Sequence, residues 1–377
     1  MAVTIKTIDA TKKTELVKFF KSQLMFYKDD PNFVAPLYGD KLHSVNEKKA
    51  PFFEHGEMRH FMAYRDGGIV GRISALVNRN HNDFFKDKVG FIGNFECEND
   101  QEAADALFNA AAEWLKSKNM DTMRGPIYPD TNGDCGLLID GFDLPPVVMM
   151  TYNPEYYQHL FDGAGFVKAK DLHAYDLKPE DWLSEKLERL QGIVRKRYNI
   201  EIEDIHLKDK VGFERAVNLI KEIYDTAWEA NWGNVKLTER EWIAMVKELK
   251  MVADERLLFL AKINGEYAGF QVTLPDVNQA LIYNKKGTLA GAIWHLVTKK
   301  KKINRVRIVL AGVLPKYRKS GADAVMYYEI GQRGRAIGYN RGEGSWILED
   351  NIMPIRGLTQ IVNGKLYKMY RIYDKAI

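Results

Sequence analysis

The chain has 377 residues, of which 46% are hydrophobic and 28% charged, with a formal net charge of +4. This length suits two domains, and the ordinary composition excludes a disordered or fibrous protein. No apolar run reaches the roughly 20 residues that span a bilayer, and so small a net charge does not by itself indicate a nucleic-acid partner. The only cysteines, Cys97 and Cys135, fit a reducing compartment, so we expect a cytoplasmic protein without a zinc site built from thiolates.

The first half of the sequence predicts strands alternating with helices. Apolar runs at 60–64 and 69–77 flank a Gly-Gly pair, which is a hairpin signal. Apolar residues at spacings of three and four from Ala103 to Leu115 predict an amphipathic helix. The other elements predicted here are strands at 89–95, near 122–124 and at 172–177, and a helix around 156–160.

The second half repeats that order. A helix at 213–228 precedes a hairpin of runs 257–263 and 267–273 around Asn264-Gly265, the strongest short hairpin signal. The elements that follow are a strand at 306–313, a helix to about 337, and strands at 345–348 and 366–373. We therefore predict an α/β (α+β) protein of two similar units, each a twisted mixed sheet flanked by helices, with domains 1–178 and 179–377 and a helical connector at 181–197.

The joint between strand and helix in the second half carries a recognisable motif. Val313-x-Pro315-x-Tyr317-Arg318-x-x-Gly321 resembles the central motif of the GNAT acyltransferase superfamily. Gly71-Arg72-Ile73 and Gly165-Phe166 extend the resemblance weakly to the first half, and the tandem arrangement is similar to Fem-type peptidyltransferases. The resemblance implies that the fourth and fifth strands of the domain splay apart, that acyl-CoA lies in the gap, and that amides of this loop bind its pyrophosphate.

Elementary physical chemistry supports an anion site at this joint. Free amides at a helix N-terminus attract phosphate, glycine permits close backbone approach, and arginine grips phosphate with two donors. The candidate cofactor-binding residues are Val313, Arg318, Lys319, Ser320, Gly321, Ala322 and Asn351, the last of which matches a family position that can contact the cofactor.

One residue at the joint departs from the family pattern. Asp323 stands where the family has a small residue, and Ser320-x-x-Asp323 predicts a capping box with Ser320 as the N-cap. A carboxylate about 4 Å from a phosphate costs about 1 to 4 kcal/mol, depending on exposure. A plain capped turn is therefore the competing interpretation of the motif.

The equivalent joint of the first half, residues 95–102, contains four acids, no basic residue and no glycine. Asn99 is predicted to cap the following helix, with Glu102 completing a box. We expect this first domain to lack a CoA site.

Acyl transfer to an amine requires a base and benefits from a proton donor. Glu349, at the end of the strand after the motif helix, is the candidate base, and Glu343 on the same strand is the second choice. The family often places a tyrosine in the next helix; residues 353–361 contain none, so Tyr367, Tyr370 and Tyr373 on the last strand are the possible substitutes, with Tyr373 chosen as the catalytic candidate. Strand-end solvation and aromatic packing are the competing explanations.

Two further clusters are candidates for binding. Trp228 and Trp232 are candidate substrate contacts for an apolar or planar acceptor, or else a helix-end core. The run Lys299–Lys302 is a solvated loop or an attractor for CoA or another polyanion. The eight histidines include no H-x-x-x-H pair, so we expect no metal.

These features predict an N-acyltransferase that uses acetyl-CoA or another acyl-CoA as co-substrate and a small-molecule or peptide amine as acceptor, with no membrane partner. One alternative is Fem-like aminoacyl transfer from charged tRNA, the only nucleic acid expected, in which Arg195-Lys196-Arg197 and the lysine run contact phosphates. A degenerate, non-catalytic pair of domains that binds a ligand or a protein is the other.

Overall fold

The computed structural model describes residues 2–377. By contact, the chain divides into two compact units. The first consists of residues up to Leu172 together with Ala280–Lys300 and Lys368–Ile377, and the second consists of His173–Gln279 and Lys301–Tyr367. The predicted division into 1–178 and 179–377 does not assign the two later segments to the first unit.

Helices and strands alternate along both halves, as the sequence predicts. The elements up to residue 140 are β1 (Thr4–Thr7), α1 (Lys13–Lys21), α2 (Gln23–Phe26), α3 (Tyr38–Ser44), β2 (Gly56–Arg65), β3 (Gly68–Asn78), α4 (Arg79–Phe85), β4 (Val89–Cys97), α5 (Gln101–Ser117), β5 (Thr122–Gly125), β6 (Ile127–Tyr128), β7 (Asp134–Cys135) and β8 (Leu137–Asp140). The later elements are α6 (Tyr157–Gly163), β9 (Val167–Leu177), α7 (Pro179–Trp182), α8 (Glu185–Arg197), β10 (Ile200–Asp204), α9 (Lys210–Ala227), α10 (Glu239–Val252), β11 (Leu258–Ile263), β12 (Glu266–Pro275), α11 (Asn278–Leu281), α12 (Leu289–Lys299), β13 (Arg305–Val313), α13 (Ala322–Ala336), β14 (Arg341–Leu348), α14 (Ile352–Arg356) and β15 (Lys365–Ala376).

The sheet of the first unit has strands β1 to β5 in sequence order. The β2–β3 hairpin turns at Asp66 and Gly67, whose φ angles of 52° and 79° suit the tight turn that the sequence predicts. Strands β4 and β5 are parallel, and the other neighbours in this series are antiparallel. The last residues of the chain complete this sheet, because Tyr373–Ala376 of β15 pairs antiparallel with β5.

A buried ion pair lies within the first unit. Arg72 and Glu96 are 2% and 4% exposed, and Arg72 Nη2 lies 3.5 Å from Glu96 Oε1. Arg72 Nη1 also donates to the carbonyl oxygens of Phe19 at 2.7 Å and Phe20 at 3.0 Å. Tyr157 donates to the other carboxylate oxygen at 2.8 Å. Burial raises the pKa of Glu96, and Arg72 acts in the opposite direction.

The sheet of the second unit has the order β14-β13-β12-β11-β10. The β11–β12 hairpin turns at Asn264 and Gly265 with φ angles of 50° and 83°, so this prediction is also confirmed. Strands β13 and β14 are parallel, while the pairs β10–β11, β11–β12 and β12–β13 are antiparallel.

Helices cover both faces of this second sheet. Along β11, Leu258 faces α9 and α10, whereas the next residue, Phe259, belongs to the core that includes Ala324 and Ile330 of α13. This alternation follows from the pleat, in which successive side chains point to opposite faces. A sheet with helices on both faces matches the predicted fold class.

Removing one partner of the buried ion pair tests the packing of the first unit. We expect Arg72→Met to lower the free energy of unfolding by about 3–5 kcal/mol, because Glu96 loses its counter-ion and two carbonyls lose their donor. Arg79→Met is the matched control: Arg79 pairs with Glu57 at the surface, so its loss costs about 1 kcal/mol or less. Urea unfolding followed by circular dichroism measures both, and equal losses in the two variants contradict the prediction.

Candidate functional site

Two parallel strands of the second unit separate partway along their length. Strand β13 pairs with β14 from Arg305 (with Arg341) to Ile308 (with Gly344), and the structure of residues 2–377 shows no pair between them beyond that point. The register of β13 against β12 shifts there, because Val272 faces Leu310 while Thr273 faces Ile308. Val309 is therefore an extra residue, and such a bulge bends its strand. We call the separated segments, 309–313 and 345–348, the fork.

The register brings the predicted base to the same edge as the motif. Val313 and Glu349 each lie five residues beyond the last pair, Ile308 and Gly344 (313 − 308 = 349 − 344 = 5). Parallel strands end at the same edge of a sheet, where α/β folds bind their ligands. Glu349 and the joint therefore share the open end of the fork, and Asn351 follows at the start of α14.

A closed polar cluster lies at the base of the fork. The hydroxyls of Ser345 and Tyr367 both donate to Glu343, which is 1% exposed. Arg307 donates through Nε to Ser345 Oγ at 2.9 Å and through Nη2 to the Ser345 carbonyl at 3.2 Å. Such fully bonded buried networks fix local geometry. Arg307 thus joins β13 to Ser345 of β14 where the strands part, and the burial of Glu343 leaves a substrate no access.

The helix after the motif begins differently from the predicted capping box. Gly321, with a φ of 80°, is the N-cap of α13, and because it is a glycine it provides no side-chain cap. Ser320 Oγ donates to the Tyr317 carbonyl at 2.7 Å and accepts from the amide of Ala322 at 3.2 Å. Ser320 is thus not the N-cap, because the positive φ that starts the helix falls on the glycine after it.

Several amides of the joint are already used inside it. The Arg318 amide donates to the Pro315 carbonyl at 3.3 Å and the Ser320 amide to the Tyr317 carbonyl at 2.9 Å. Among the contacts of residues 2–377, the amides of Lys319 and Gly321 have no such acceptor. These two amides are the ones that the joint offers to an anion.

Asp323 lies in the first turn of α13. Burial raises the pKa of the Asp323 carboxyl, and the N–H groups of Ala324 and Asp323 act in the opposite direction. The same face of the helix carries Tyr327 and meets the segment after α14: a Cβ added to Gly357 would lie 3.2 Å from the Tyr327 hydroxyl and 3.6 Å from an Asp323 carboxyl oxygen. The carboxyl is thus at the helix start, half-buried, without the predicted bond back to Ser320.

The end of α9 meets the joint and the fork. Arg318 Nη2 donates to the carbonyl of Ala227 at 2.8 Å, and Trp228 Nε1 donates to the carbonyl of Ala311 at 3.4 Å. Arg318 therefore binds the C-terminal end of a helix, where a cation is favoured, and Lys319 is exposed beside it. Ala311 belongs to the fork, so Trp228 lies at its border.

An apolar pocket lies between α9, α10 and the sheet of the second unit. It has a cavity volume of about 50 Å³, and thirteen apolar side chains and Lys250 line it. Leu310 of β13 forms one wall, directly before Ala311. Trp242, 2% exposed, lines the pocket from α10, and its indole N–H has no hydrogen-bond partner among the described residues. The sequence does not reveal this pocket, because its residues are scattered over five elements.

The remaining predicted residues lie in two different settings. Trp232 is half-buried after α9. Tyr373 is 2% exposed in the core of the first unit, where its ring lies 5.1 Å from that of Phe161, and burial raises its pKa to about 12. Its surroundings are those of a packing residue, and a substrate has no access to its hydroxyl.

In the first unit the parallel strands β4 and β5 also separate, but tyrosine hydroxyls bond to the backbone there. Strand β4 pairs with β5 only from Val89 to Phe91 and continues to Cys97. The Cys97 amide donates to the Tyr157 hydroxyl at 3.0 Å, and the Tyr156 hydroxyl donates to the Cys97 carbonyl at 2.8 Å. These bonds use the backbone groups that an extended ligand would need.

The start of α5 in the first unit is capped internally. Asp100, not Asn99 as predicted, is the N-cap: its carboxylate accepts from the Ala103 amide at 3.3 Å. Arg65 lies 2.8 Å from Asp100 and 2.7 Å from Glu102. The acids at this joint are thus committed to a cap and to an ion pair.

Two searches of residues 2–377 gave negative results. No group of three or more His, Cys, Asp or Glu side chains is placed to hold a metal ion. No helix in the same range has both the length and the apolar character needed to cross a bilayer.

The sequence is similar to that of two curated proteins. The bacterial ceramide synthase of Caulobacter vibrioides (strain NA1000 / CB15N) is 33% identical over 99% of this chain and 98% of its own length. Protein YghO of Escherichia coli (strain K12) is 30% identical over 97% of this chain and 94% of its own length. No family model matches the sequence.

Among solved structures, the chain is similar to a tandem GNAT protein from the clavulanic acid biosynthesis pathway. The TM-score is 0.57 at 11% identity, and the match covers 99% of this chain and 98% of the other. At this identity the likeness concerns the fold alone. It confirms the prediction of a tandem GNAT fold.

Proposed function

The chain belongs to the family of the bacterial ceramide synthase and Protein YghO, and from this membership we propose that it is an acyl-CoA-dependent N-acyltransferase. One observation carries the proposal: β13 and β14 part at Ile308, and the strand that leaves the pair runs directly into the motif and the start of α13. An extended thioester placed in the fork can hydrogen-bond to the unpaired edge of β13, while its pyrophosphate lies at the helix start.

The residues at the joint have different roles in the proposed binding of CoA. The amides of Lys319 and Gly321 face the pyrophosphate, with the helix dipole of α13 behind them. The exposed Lys319 side chain adds a positive charge. Arg318, which is bonded to the end of α9, supports this geometry by fixing the joint against that helix. Val313 and Asn351 border the opening of the fork.

The proposed reaction is direct transfer. The amine nitrogen of the acceptor attacks the thioester carbonyl, the new C–N bond forms, and the C–S bond breaks to release the CoA thiolate. Glu349, at the open end of the fork, takes the proton that the amine loses. Glu349 then passes that proton to the thiolate. One thioester and one amine thus give one amide and one thiol.

The acceptor that the site supports is an amine with a long apolar chain. A ceramide is an amide of such an amine, and the relative of that name is 33% identical over nearly the whole chain. The apolar pocket supports this choice, because it borders the fork through Leu310 and Lys250 is the one charged residue in its lining. Trp228, whose indole N–H donates to the Ala311 carbonyl, supplies an aromatic surface at the border of the fork.

An activity assay tests the function and the base together. The purified protein is given palmitoyl-CoA and sphinganine, thiol release is followed with a thiol-reactive dye, and the amide is identified by mass spectrometry. The protein's own two thiols give little background, because burial raises the pKa of both Cys97 and Cys135. We expect Glu349→Gln to lower kcat by about 10²- to 10⁴-fold with little change in KM, since the base acts in the chemical step.

Asp350→Asn is the matched control, because it removes the neighbouring carboxylate, and it should retain most of the activity. Wild-type rates with Glu349→Gln would contradict the role of Glu349. No thiol release with any acyl-CoA would contradict the acyltransferase, and product made instead from charged tRNA would favour the Fem-like alternative.

The pH dependence of CoA binding tests the effect of Asp323. Its carboxyl is neutral below its raised pKa and charged above it, so repulsion of the pyrophosphate grows as the pH rises through that pKa. We therefore expect Asp323→Asn to bind CoA at least about fivefold more tightly than the wild type at about pH 8, and the difference to disappear as the pH falls.

Calorimetric titration of both proteins over the same pH range measures this difference. Titration of the CoA phosphates affects both proteins alike and cancels in the ratio. Equal affinities at high pH would show that the carboxyl does not face the bound phosphate.

A further inference from the structure

A helix inserted between β12 and β13 carries its apolar residues on the outside. In α12, Leu289 and Ile293 are 68% and 56% exposed, and Trp294 and Val297 are 66% and 73% exposed. Leu289, Ile293 and Val297 follow one another at intervals of four, so they form one stripe along the helix, with Trp294 beside it. Ala292 is the only buried residue of this helix. In most amphipathic helices the apolar stripe packs against the core, whereas the stripe of α12 faces away from it.

The structure holds this helix in place through the loop before it. Thr288 is the N-cap and accepts from the Gly291 amide at 3.2 Å, and Asn284 Nδ2 donates to the Thr288 carbonyl at 2.9 Å. Lys285 Nζ donates to the Phe33 carbonyl at 3.3 Å within the same unit. Gly287, at a φ of 57°, lies so close to that segment that an added Cβ would meet the Pro36 carbonyl oxygen at 2.3 Å. The apolar stripe is therefore presented on an anchored element.

The charged side chains adjacent to the helix in sequence have a single sign. Residues 277–304 contain six lysines and no Asp or Glu. Two of them, Lys285 and Lys286, precede the helix, and the run Lys299–Lys302 ends and follows it. Lys299 Nζ lies 5.4 Å from the ring centroid of Tyr283, a second exposed aromatic residue. Cations thus border an exposed apolar stripe that carries a tryptophan.

We propose that α12, with the lysines that flank it, docks on the surface of a bilayer that contains anionic phospholipids. An apolar stripe alone would suit any hydrophobic partner, and the charge selects among them: a segment with six lysines and no acid matches a negative lipid surface. Trp294 belongs to the residue type that is enriched at membrane interfaces. With 11 residues, the helix is too short to span a bilayer and lies in the plane of the interface instead.

This inference departs from the expectation that the protein has no membrane partner. That expectation rests on the absence of an apolar run long enough to span a bilayer. In α12, by contrast, the apolar residues are spaced along one face of a short helix. The proposal stands on the surface alone and does not depend on the chemistry at the fork.

Co-sedimentation with vesicles tests the proposal on the full-length protein. One set of vesicles contains phosphatidylcholine alone, and the other contains about one third phosphatidylglycerol. We expect at least tenfold stronger binding to the anionic vesicles, and weaker binding as salt is raised. The double variant Ile293→Glu with Val297→Glu should lose at least tenfold in this binding, since each change places a carboxylate on the stripe.

Two further variants separate the contributions. Lys299→Gln with Lys300→Gln should weaken binding about fivefold for each lysine removed, because a lysine near an anionic surface contributes about that factor. Val211→Glu is the control, as Val211 is 81% exposed on α9, away from the α12 surface in sequence, and should leave binding unchanged. All substituted side chains are at the surface or at its edge, so unchanged thermal unfolding is expected and checked for each variant.

Three results would overturn the proposal. One is equal binding to both kinds of vesicle, and another is no binding to either. The third is a dimer, seen by light scattering, that Ile293→Glu with Val297→Glu converts to a monomer while the vesicles bind neither form, since a second copy of the chain would then cover the stripe.

Discussion

The second unit depends on one feature of its sheet: the pairing of β13 with β14 ends at Ile308 and Gly344. The extra residue, Val309, bends β13 at that point, and the bonded cluster of Arg307, Glu343 and Ser345 fixes the place where the strands part. From there the backbone of β13 has an unpaired edge that leads directly to the start of a helix. The proposed cofactor site, the proposed base and the border with the apolar pocket all follow from this separation.

The two units share a GNAT-like architecture but differ at the ends of their parted strands. Both units contain parallel strands that part. In the first unit, however, the hydroxyls of Tyr156 and Tyr157 form hydrogen bonds with the backbone of Cys97, and Asp100 caps the next helix. In the second unit, Gly321 starts the helix without a side-chain cap. The difference lies in a few side chains at the strand ends, while the elements are alike. This contrast supports the proposal that only the second unit binds CoA.

Much of the fold could be predicted because it is set by local residue patterns. The turns at Asp66-Gly67 and Asn264-Gly265 and the periodic helices depend on residues adjacent in sequence. The sequence does not show which sheet a strand joins, so the pairing of Tyr373–Ala376 with β5, and hence the burial of Tyr373, was not predicted. Likewise, Ser320 and Gly321 are both suitable caps, and only the backbone conformation selects the glycine. The apolar pocket and the partner of Arg318 arise from tertiary contacts.

Hydrogen exchange with and without a bound acyl-CoA tests most directly whether the fork of the second unit is the binding site. Protection should increase in residues 309–324 and 345–351, where the unpaired edge of β13, the helix start and the strand end would contact the ligand. Residues 95–102 of the first unit should exchange as before, because Tyr156 and Tyr157 already bond to the backbone of Cys97 and Asp100 caps the next helix. Protection at 95–102 instead, or no change in any of these segments with saturating acyl-CoA, would contradict the assignment of the site.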